Sequence, residues 1–390
     1  MKDLQGKVAV ITGAASGIGR AMTDRFIAAG MKIVLADVDE IKLRNVEAEL
    51  TENGADVFPV TVDVSLGESV EELARKTLEK YGAAHVLCNN AGVAGVGDQW
   101  TGPMSVWDWV ININLYGVVH GIRSFLPIML DQNEGHIVNT ASMAGLIAMP
   151  GFGPYNATKH AVVAMSEGLF LELEAKGSGV SCSVLCPGFV KTSLTTDIKW
   201  SERLGAQPPD PTDPIGSMMN EMLKAGVEDG IPASDVAQQV HDAVVANQFW
   251  ILTHPDFRQA PVERMQRAAA QQNPTLGKPN LVIQWAAGAV PSAFFFGGGT
   301  PTETDFSAQS GQRRRLTMLS VRNNFIATSS SWAGRDSITP SLIMREMTSS
   351  PSSVRTMVSV QSLSLPIPPV EMSACSAAKS GQLLQPSRVH

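Results

Sequence analysis

Between residues 7 and 37 the chain reads as a strand, a glycine-rich turn, a helix and a second strand, and few folds accept that order. Lys7-Val8-Ala9-Val10-Ile11-Thr12 is a nearly continuous apolar run, as expected of a parallel strand covered on both faces. Thr12-Gly13-Ala14-Ala15-Ser16-Gly17-Ile18-Gly19 follows. Ile18, Met22, Phe26 and Ala29 then fall at helical spacing, Gly30 ends the segment, and Lys32 to Asp37 reads as the second strand. Two parallel strands joined by a crossover helix, with glycines at the first turn, form the opening of a dinucleotide-binding fold.

In such a unit Gly13 permits the tight turn leaving the strand. Gly17 and Gly19 remove side chains where a pyrophosphate and the helix pack closely, and Ser16 and Ile18 flank them at the positive end of that helix. Asp37, closing the second strand, can accept hydrogen bonds from both hydroxyls of an adenosine ribose, and its charge would repel a 2′-phosphate. NAD is therefore expected over NADP, with Arg20 and Lys42 the basic residues close enough in sequence to oppose that preference.

Further apolar runs at Asp56 to Val62, His85 to Asn89, His136 to Thr140, Val180 to Cys186 and Phe249 to Thr253 bring the expected strands to seven, with helical stretches between them. The pattern predicts an α/β, doubly wound Rossmann fold with a central parallel sheet over residues 1–270. Within it, residues 192–230 carry Pro208, Pro209, Pro211 and Pro214 and an apolar stretch with Met218, Met219, Met222 and Leu223. That segment is either a substrate lid or packing surface. Residues 271–306 read as a C-terminal extension. From Ser307 onward there are 19 serines in 84 residues and nine Lys plus Arg against three Asp plus Glu, a composition that predicts a tail of low order.

The chemistry is concentrated around Tyr155 and Lys159, four apart in Gly-Pro-Tyr-Asn-Ala-Thr-Lys, with Ser142 upstream in Asn139-Thr140-Ala141-Ser142. A free phenol titrates near 10, so its use as an acid or base near neutrality calls for a cation nearby. On a helix, residues at i and i+4 project from one face, so ammonium and phenol can address the same ligand. Ser142 can hydrogen-bond an oxygen that gains charge during reaction.

These residues, together with Thr12-Gly13-x-x-x-Gly17-x-Gly19, Asn89-Asn90-Ala91-Gly92, Asn114 and Pro187-Gly188 with Thr192, resemble the motif set of the classical short-chain dehydrogenases/reductases over roughly residues 4 to 260. The resemblance implies that Tyr155 exchanges a proton with the substrate while hydride moves to or from a nicotinamide. Lys159 would lower the phenol pKa and grip the nicotinamide ribose, and Asn114, rather than Asn112, would hold a water joining Lys159 to solvent. Asp63 and Val64 would fix the adenine ring, although Asp63 also reads as an ordinary loop aspartate. Asn90, Ala91 and Gly92 would form a sheet-stabilising turn beside the cofactor, and Pro187, Gly188, Val190 and Thr192 the edge of the nicotinamide pocket. Two long helices near Trp109 to Leu130 and Tyr155 to Lys176 resemble those through which the family forms homodimers and homotetramers.

Apolar residues expected at the pocket mouth are Met143, Ala144, Met149, Phe152, Phe189 and Leu194, with Trp100 and Trp200 as flanking walls. A small hydrophobic secondary alcohol or ketone suits such a lining. The net charge of −7 gives no basic bias for nucleic acid. Cys88, Cys182, Cys186 and Cys375 show no metal-ligand spacing, and a signal core is lacking, so a reduced, metal-free cytoplasmic enzyme with no membrane partner is expected. Two other readings stay open: an NADPH-dependent ketoreductase, which Asp37 opposes, and a non-catalytic cofactor-binding scaffold, which would need none of Ser142, Tyr155 and Lys159.

Overall fold

The seven apolar runs become seven strands because each is short, bounded by turns and hydrophobic enough to be buried on both faces. In the computed structural model they are β1 (Val8–Thr12), β2 (Lys32–Asp37), β3 (Val57–Thr61), β4 (Val86–Asn89), β5 (Gly135–Thr140), β6 (Val180–Cys186) and β7 (Trp250–Leu252). They form one parallel sheet in the order β3-β2-β1-β4-β5-β6-β7. The structure describes residues 1–95, 99–100, 102–194, 221 and 223–275. The middle of the expected lid, Trp200, the extension beyond residue 275, and the serine-rich tail with Cys375 all lie outside the described residues.

Chain order reverses direction between β1 and β4, and a doubly wound sheet opens a crevice at the carboxyl ends of the strands at such a point. Helices α1 (Gly17–Ala28), α2 (Glu40–Glu52) and α7 (Ala233–Ala246) cover one face of the sheet, with Phe26, Leu43 and Val240 in the core. Helices α3 (Gly67–Tyr81), α5 (Gly117–Gln132) and α6 (Gly153–Ala175) cover the other, with Leu73, Phe125 and Leu173 buried. A last helix, α8 (Gln259–Ala269), buries none of its residues.

Before α5 come α4 (Met104–Ile111) and one π-helical turn, Asn112–Tyr116, in which the Gly117 N–H reaches back to the Asn112 carbonyl. The continuous 29-residue run Met104–Gln132 contains an 18-residue window of mean hydropathy 1.2, long and apolar enough on those two measures to span a bilayer. Here the run lies against the sheet, where Gly121 permits close approach: a Cβ would sit 1.9 Å from Asn89 Oδ1. That asparagine begins a buried polar ladder, its Nδ2 donating to Asn139 Oδ1 at 2.9 Å and Asn139 Nδ2 donating to Ser166 Oγ at 3.0 Å. The ladder ties β4 and β5 to α6. Pro59 lies in the edge strand β3, the position in a sheet that tolerates a residue without an N–H.

One core residue makes the fold acid-sensitive. His136 of β5 is 1% exposed. Ser183 Oγ donates to the Gln248 carbonyl at 2.6 Å, so His136 Nε2–H donates to Ser183 Oγ at 2.6 Å and Nδ1 is left as a buried lone pair without a partner. Protonation would put an unpaired charge in the core, and burial holds the imidazole pKa down at about 3. Because the folded state resists a proton that the unfolded chain accepts near 6.5, stability falls as pH drops below 6.5 and the loss is complete only below about 3. The penalty approaches ~5 kcal/mol. Urea unfolding at pH 7 and pH 4.5 should show this loss shrinking in His136→Leu relative to the unsubstituted chain.

Candidate active site

The turn after β1 is built around Thr12. Its Oγ1 accepts from the N–H groups of Asn90 (2.9 Å) and Ala91 (3.0 Å), while Asn90 Nδ2 donates to the Thr12 carbonyl at 3.0 Å. These bonds hold the ends of β1 and β4 together and leave the crevice beside them. Gly13 has φ +69° and Gly17 φ +53°, both in the left-handed region that favours glycine. A Cβ on Gly17 would sit 3.2 Å from Thr192 Cγ2. Gly19 differs: it is buried beneath the turn, where a Cβ would lie 2.0 Å from the Gly13 carbonyl oxygen. Ser16 makes no side-chain capping bond to α1, so the first-turn N–H groups have no side-chain acceptor there.

From this turn a cleft of about 320 Å³ runs to the start of α6. Gly13, Ser16, Gly17 and Ile18 line one end, Asn90, Ala91 and Gly92 its side, and Ser142, Tyr155 and Lys159 its floor. Pro187, Gly188, Val190 and Thr192 line the opposite wall. Asp37, Asp63 and Val64 lie outside this lining. Asp37 Oδ2 accepts from the Ala15 N–H and Oδ1 from the Asp39 N–H, both at 3.0 Å. Asp63 Oδ1 accepts from both the N–H (3.0 Å) and the hydroxyl (2.6 Å) of Ser65, which gives it the loop-ordering role as well.

Lys159, 4% exposed, donates to the Thr140 carbonyl at 2.9 Å. Burial lowers its pKa to about 8. The Tyr155 phenol is raised above its usual value by burial, while hydrogen bonding with Ser142 works in the other direction. The expected lowering of the phenol pKa by Lys159 is thus reversed in this geometry: desolvation disfavours the phenolate, and it disfavours the ammonium in the same pocket. Ser142 Oγ accepts from the Ala144 N–H at 3.1 Å and donates to the Pro187 carbonyl at 3.4 Å, a long bond that is readily exchanged for one to a ligand.

Burial separates the two asparagines of the π-turn. Asn112 is exposed, whereas Asn114 is 0% exposed. The Asn114 amide accepts from the Val93 N–H at 2.8 Å and donates to the Val93 carbonyl at 2.9 Å. Its side chain therefore secures the loop after β4. Gly92 lies between it and Lys159, a Cβ there falling 3.3 Å from Asn114 Oδ1 and 3.6 Å from Lys159 Nζ.

All six apolar residues expected at the mouth line the cleft, but Trp100 does not; it is 83% exposed. Trp109 of α4 and Phe257, in the 3₁₀ turn Pro255–Phe257, fill the wall instead, with Leu223 and Val227. Neither aromatic was singled out from sequence. Each is a lone residue outside any motif, and no local pattern marks it.

Residues 7–203 match the short chain dehydrogenase family. The CLA biosynthesis dehydrogenase/reductase of Lactiplantibacillus plantarum is 35% identical over 280 residues, covering 70% of this chain and 97% of that protein. The 1-deoxy-11-beta-hydroxypentalenate dehydrogenase of Streptomyces exfoliatus is 37% identical over 258 residues, covering 65% of this chain and 86% of that one. A short chain dehydrogenase/reductase from Burkholderia phymatum, solved in complex with NAD, is 43% identical with a TM-score of 0.67, covering 70% of this chain and 98% of its own. With the seven-stranded sheet, the glycine turn and the Ser142, Tyr155 and Lys159 cluster in one molecule, the chain belongs to the short-chain dehydrogenase/reductase family of oxidoreductases.

Proposed function

We propose that this enzyme transfers hydride between NAD(H) and a hydrophobic secondary alcohol or its ketone, with Tyr155 as the acid/base. The observation that carries the proposal is the convergence of Ser142, Tyr155 and Lys159 on the floor of an apolar cleft whose far end is the uncapped start of α1. The cleft suits a nicotinamide dinucleotide: Gly13 and Gly17 leave room where a Cβ would intrude, and helix N–H groups face the phosphate position. When bound, the cofactor supplies the hydride acceptor or donor.

The chain's own residues do the rest. Ser142 exchanges its bond to Pro187 for one to the substrate oxygen, and Tyr155 gives or takes the proton at that oxygen. Among the described lining residues Tyr155 and Lys159 are the only titratable ones, so the described wall presents neither carboxylate nor guanidinium to a substrate. A phenol held above its usual pKa is protonated near neutrality and suited to donate to a ketone. Oxidation, which needs the phenolate, should gain rate as pH rises.

Asp37 supports NAD, and Arg20 does not oppose it. The Arg20 guanidinium is bound to Asp24 (3.0 Å) and twice to Glu49 (3.0 and 2.7 Å), while Lys42 lies 4.0 Å from Asp39. Titration with NADH and NADPH separately, followed by nicotinamide fluorescence, should show NADH bound at least about tenfold more tightly. Asp37→Ser should narrow that gap. Preference for NADPH would favour the reductase reading, and binding of neither would return the scaffold to first place. Association through α5 and α6 belongs to the same proposal, since Tyr116, Leu130 and Leu171 remain exposed there; sedimentation would read it as a homodimer or homotetramer.

A further inference from the structure

His254 follows β7, outside every motif considered above, and both of its ring nitrogens are committed to the cleft wall. The Phe189 carbonyl can only accept, so at 3.0 Å Nε2–H donates to it. Nδ1 therefore carries the lone pair and accepts the Gly188 N–H at 3.2 Å and the Thr253 hydroxyl at 2.7 Å. One neutral imidazole thus bridges two consecutive residues of the segment leaving β6. Its ring stacks on Phe257, centroids 4.9 Å apart and planes 4° from parallel. Gly188 is glycine for the same reason: a Cβ would fall 2.5 Å from Phe257 and 2.9 Å from His254 Nδ1.

The segment so held continues into the reacting end of the cleft. The Pro187 carbonyl accepts from the Met143 N–H at 2.9 Å and from Ser142 Oγ at 3.4 Å. On the far side, the Phe189 carbonyl also accepts from the Ile231 N–H at 3.1 Å, and Lys191 N–H donates to the Ile231 carbonyl at 3.0 Å. We infer that His254 is a positioning residue: by fixing Gly188 and Phe189 it sets the wall against which the nicotinamide end of the cofactor is seated, and through Pro187 it orients Ser142. Phe257, held by the imidazole, is the part of the same device that faces substrate. This inference rests on the proposed hydride-transfer reading.

The test uses the full chain with His254→Ala and His254→Asn, the second retaining an acceptor near the Nδ1 position. Hydrogen exchange followed by mass spectrometry reads the clamp without any cofactor. Exchange in a peptide spanning residues 187–191 should quicken about tenfold in His254→Ala while the β6 peptide is unchanged. NADH affinity should fall about tenfold in His254→Ala and recover in part in His254→Asn, and kcat should fall in the same order. A clamp peptide that exchanges at the original rate overturns the inference, as does faster exchange with NADH affinity and kcat both unaltered. If the unsubstituted chain binds NADH and His254→Ala binds it equally, only the role of His254 is lost; if the unsubstituted chain binds neither NADH nor NADPH, the hydride-transfer reading fails and the inference fails with it.

Discussion

Tyr155→Phe should lower turnover by about 10²- to 10⁴-fold while leaving NADH affinity and the melting temperature nearly unchanged. The magnitude follows from what is removed. The phenol is the cleft-floor group hydrogen-bonded with Ser142 and so placed to give or take a proton at the substrate oxygen, whereas Lys159 is bonded to the Thr140 carbonyl. Phenylalanine keeps the ring, which packs edge-on to Phe152 at 6.5 Å between centroids, and removes only the hydroxyl. Steady-state rates in both directions, with NADH titration of the same preparation, separate the two effects. In the unsubstituted enzyme the oxidation rate should rise from neutral towards alkaline pH, because burial raises the phenol pKa. A Tyr155→Phe enzyme retaining a tenth of the original turnover would remove Tyr155 as the acid/base.

The second large effect is structural and arises at the glycine turn. Gly19→Ala should abolish detectable NADH binding and cost stability in the overpacking range of about 1–3 kcal/mol or more. The new methyl would meet the Gly13 carbonyl oxygen at 2.0 Å and Asn90 Nδ2 at 2.7 Å. Backbone lies on one side and the residue tying β4 to β1 on the other, so relief requires α1 to move away from the turn. Gly168 of α6 is the control: nothing lies within 4 Å of its Cβ position, and Gly168→Ala should stabilise by roughly 0.5–1 kcal/mol through the helix preference for alanine. Urea unfolding of both variants measures the contrast. A Gly19→Ala protein as stable as the parent and binding NADH would show that the turn is not the tight junction described.

The legible parts of the molecule were those governed by local periodicity or by a motif with its own chemistry. Lys32 to Asp37 and Val180 to Cys186 were read to the residue, because buried parallel strands are continuous apolar runs bounded by turns. At Asp56 to Val62 and Phe249 to Thr253 the expected runs reach past the strand ends, where Asp56, Val62 and Phe249 still hydrogen-bond the neighbouring strand. Gly13, Ser142, Tyr155 and Lys159, each part of a motif, line one cleft. Trp109, Phe257 and His254 were illegible as wall residues because their positions depend on how distant elements pack. The reversal at Tyr155 has the same origin: sequence shows a cation four residues away, whereas burial, the larger influence here, is a property of the assembled pocket. Trp100, expected as a wall, is 83% exposed, because residue type alone does not say whether a loop indole faces in or out.

Pro59 carries a consequence for the company this protein can keep. The Ile33 N–H binds the Asp56 carbonyl and the Val62 N–H binds the Asp37 carbonyl, so the even-numbered residues of β3 face β2 and Pro59 faces outward. At the midpoint of a five-residue margin the chain presents a ring carbon where an incoming strand would need a hydrogen to bond. Growth of the described sheet from that side, into a swapped dimer or a fibril, is interrupted at its centre, which leaves β7 as the sheet margin open to another strand.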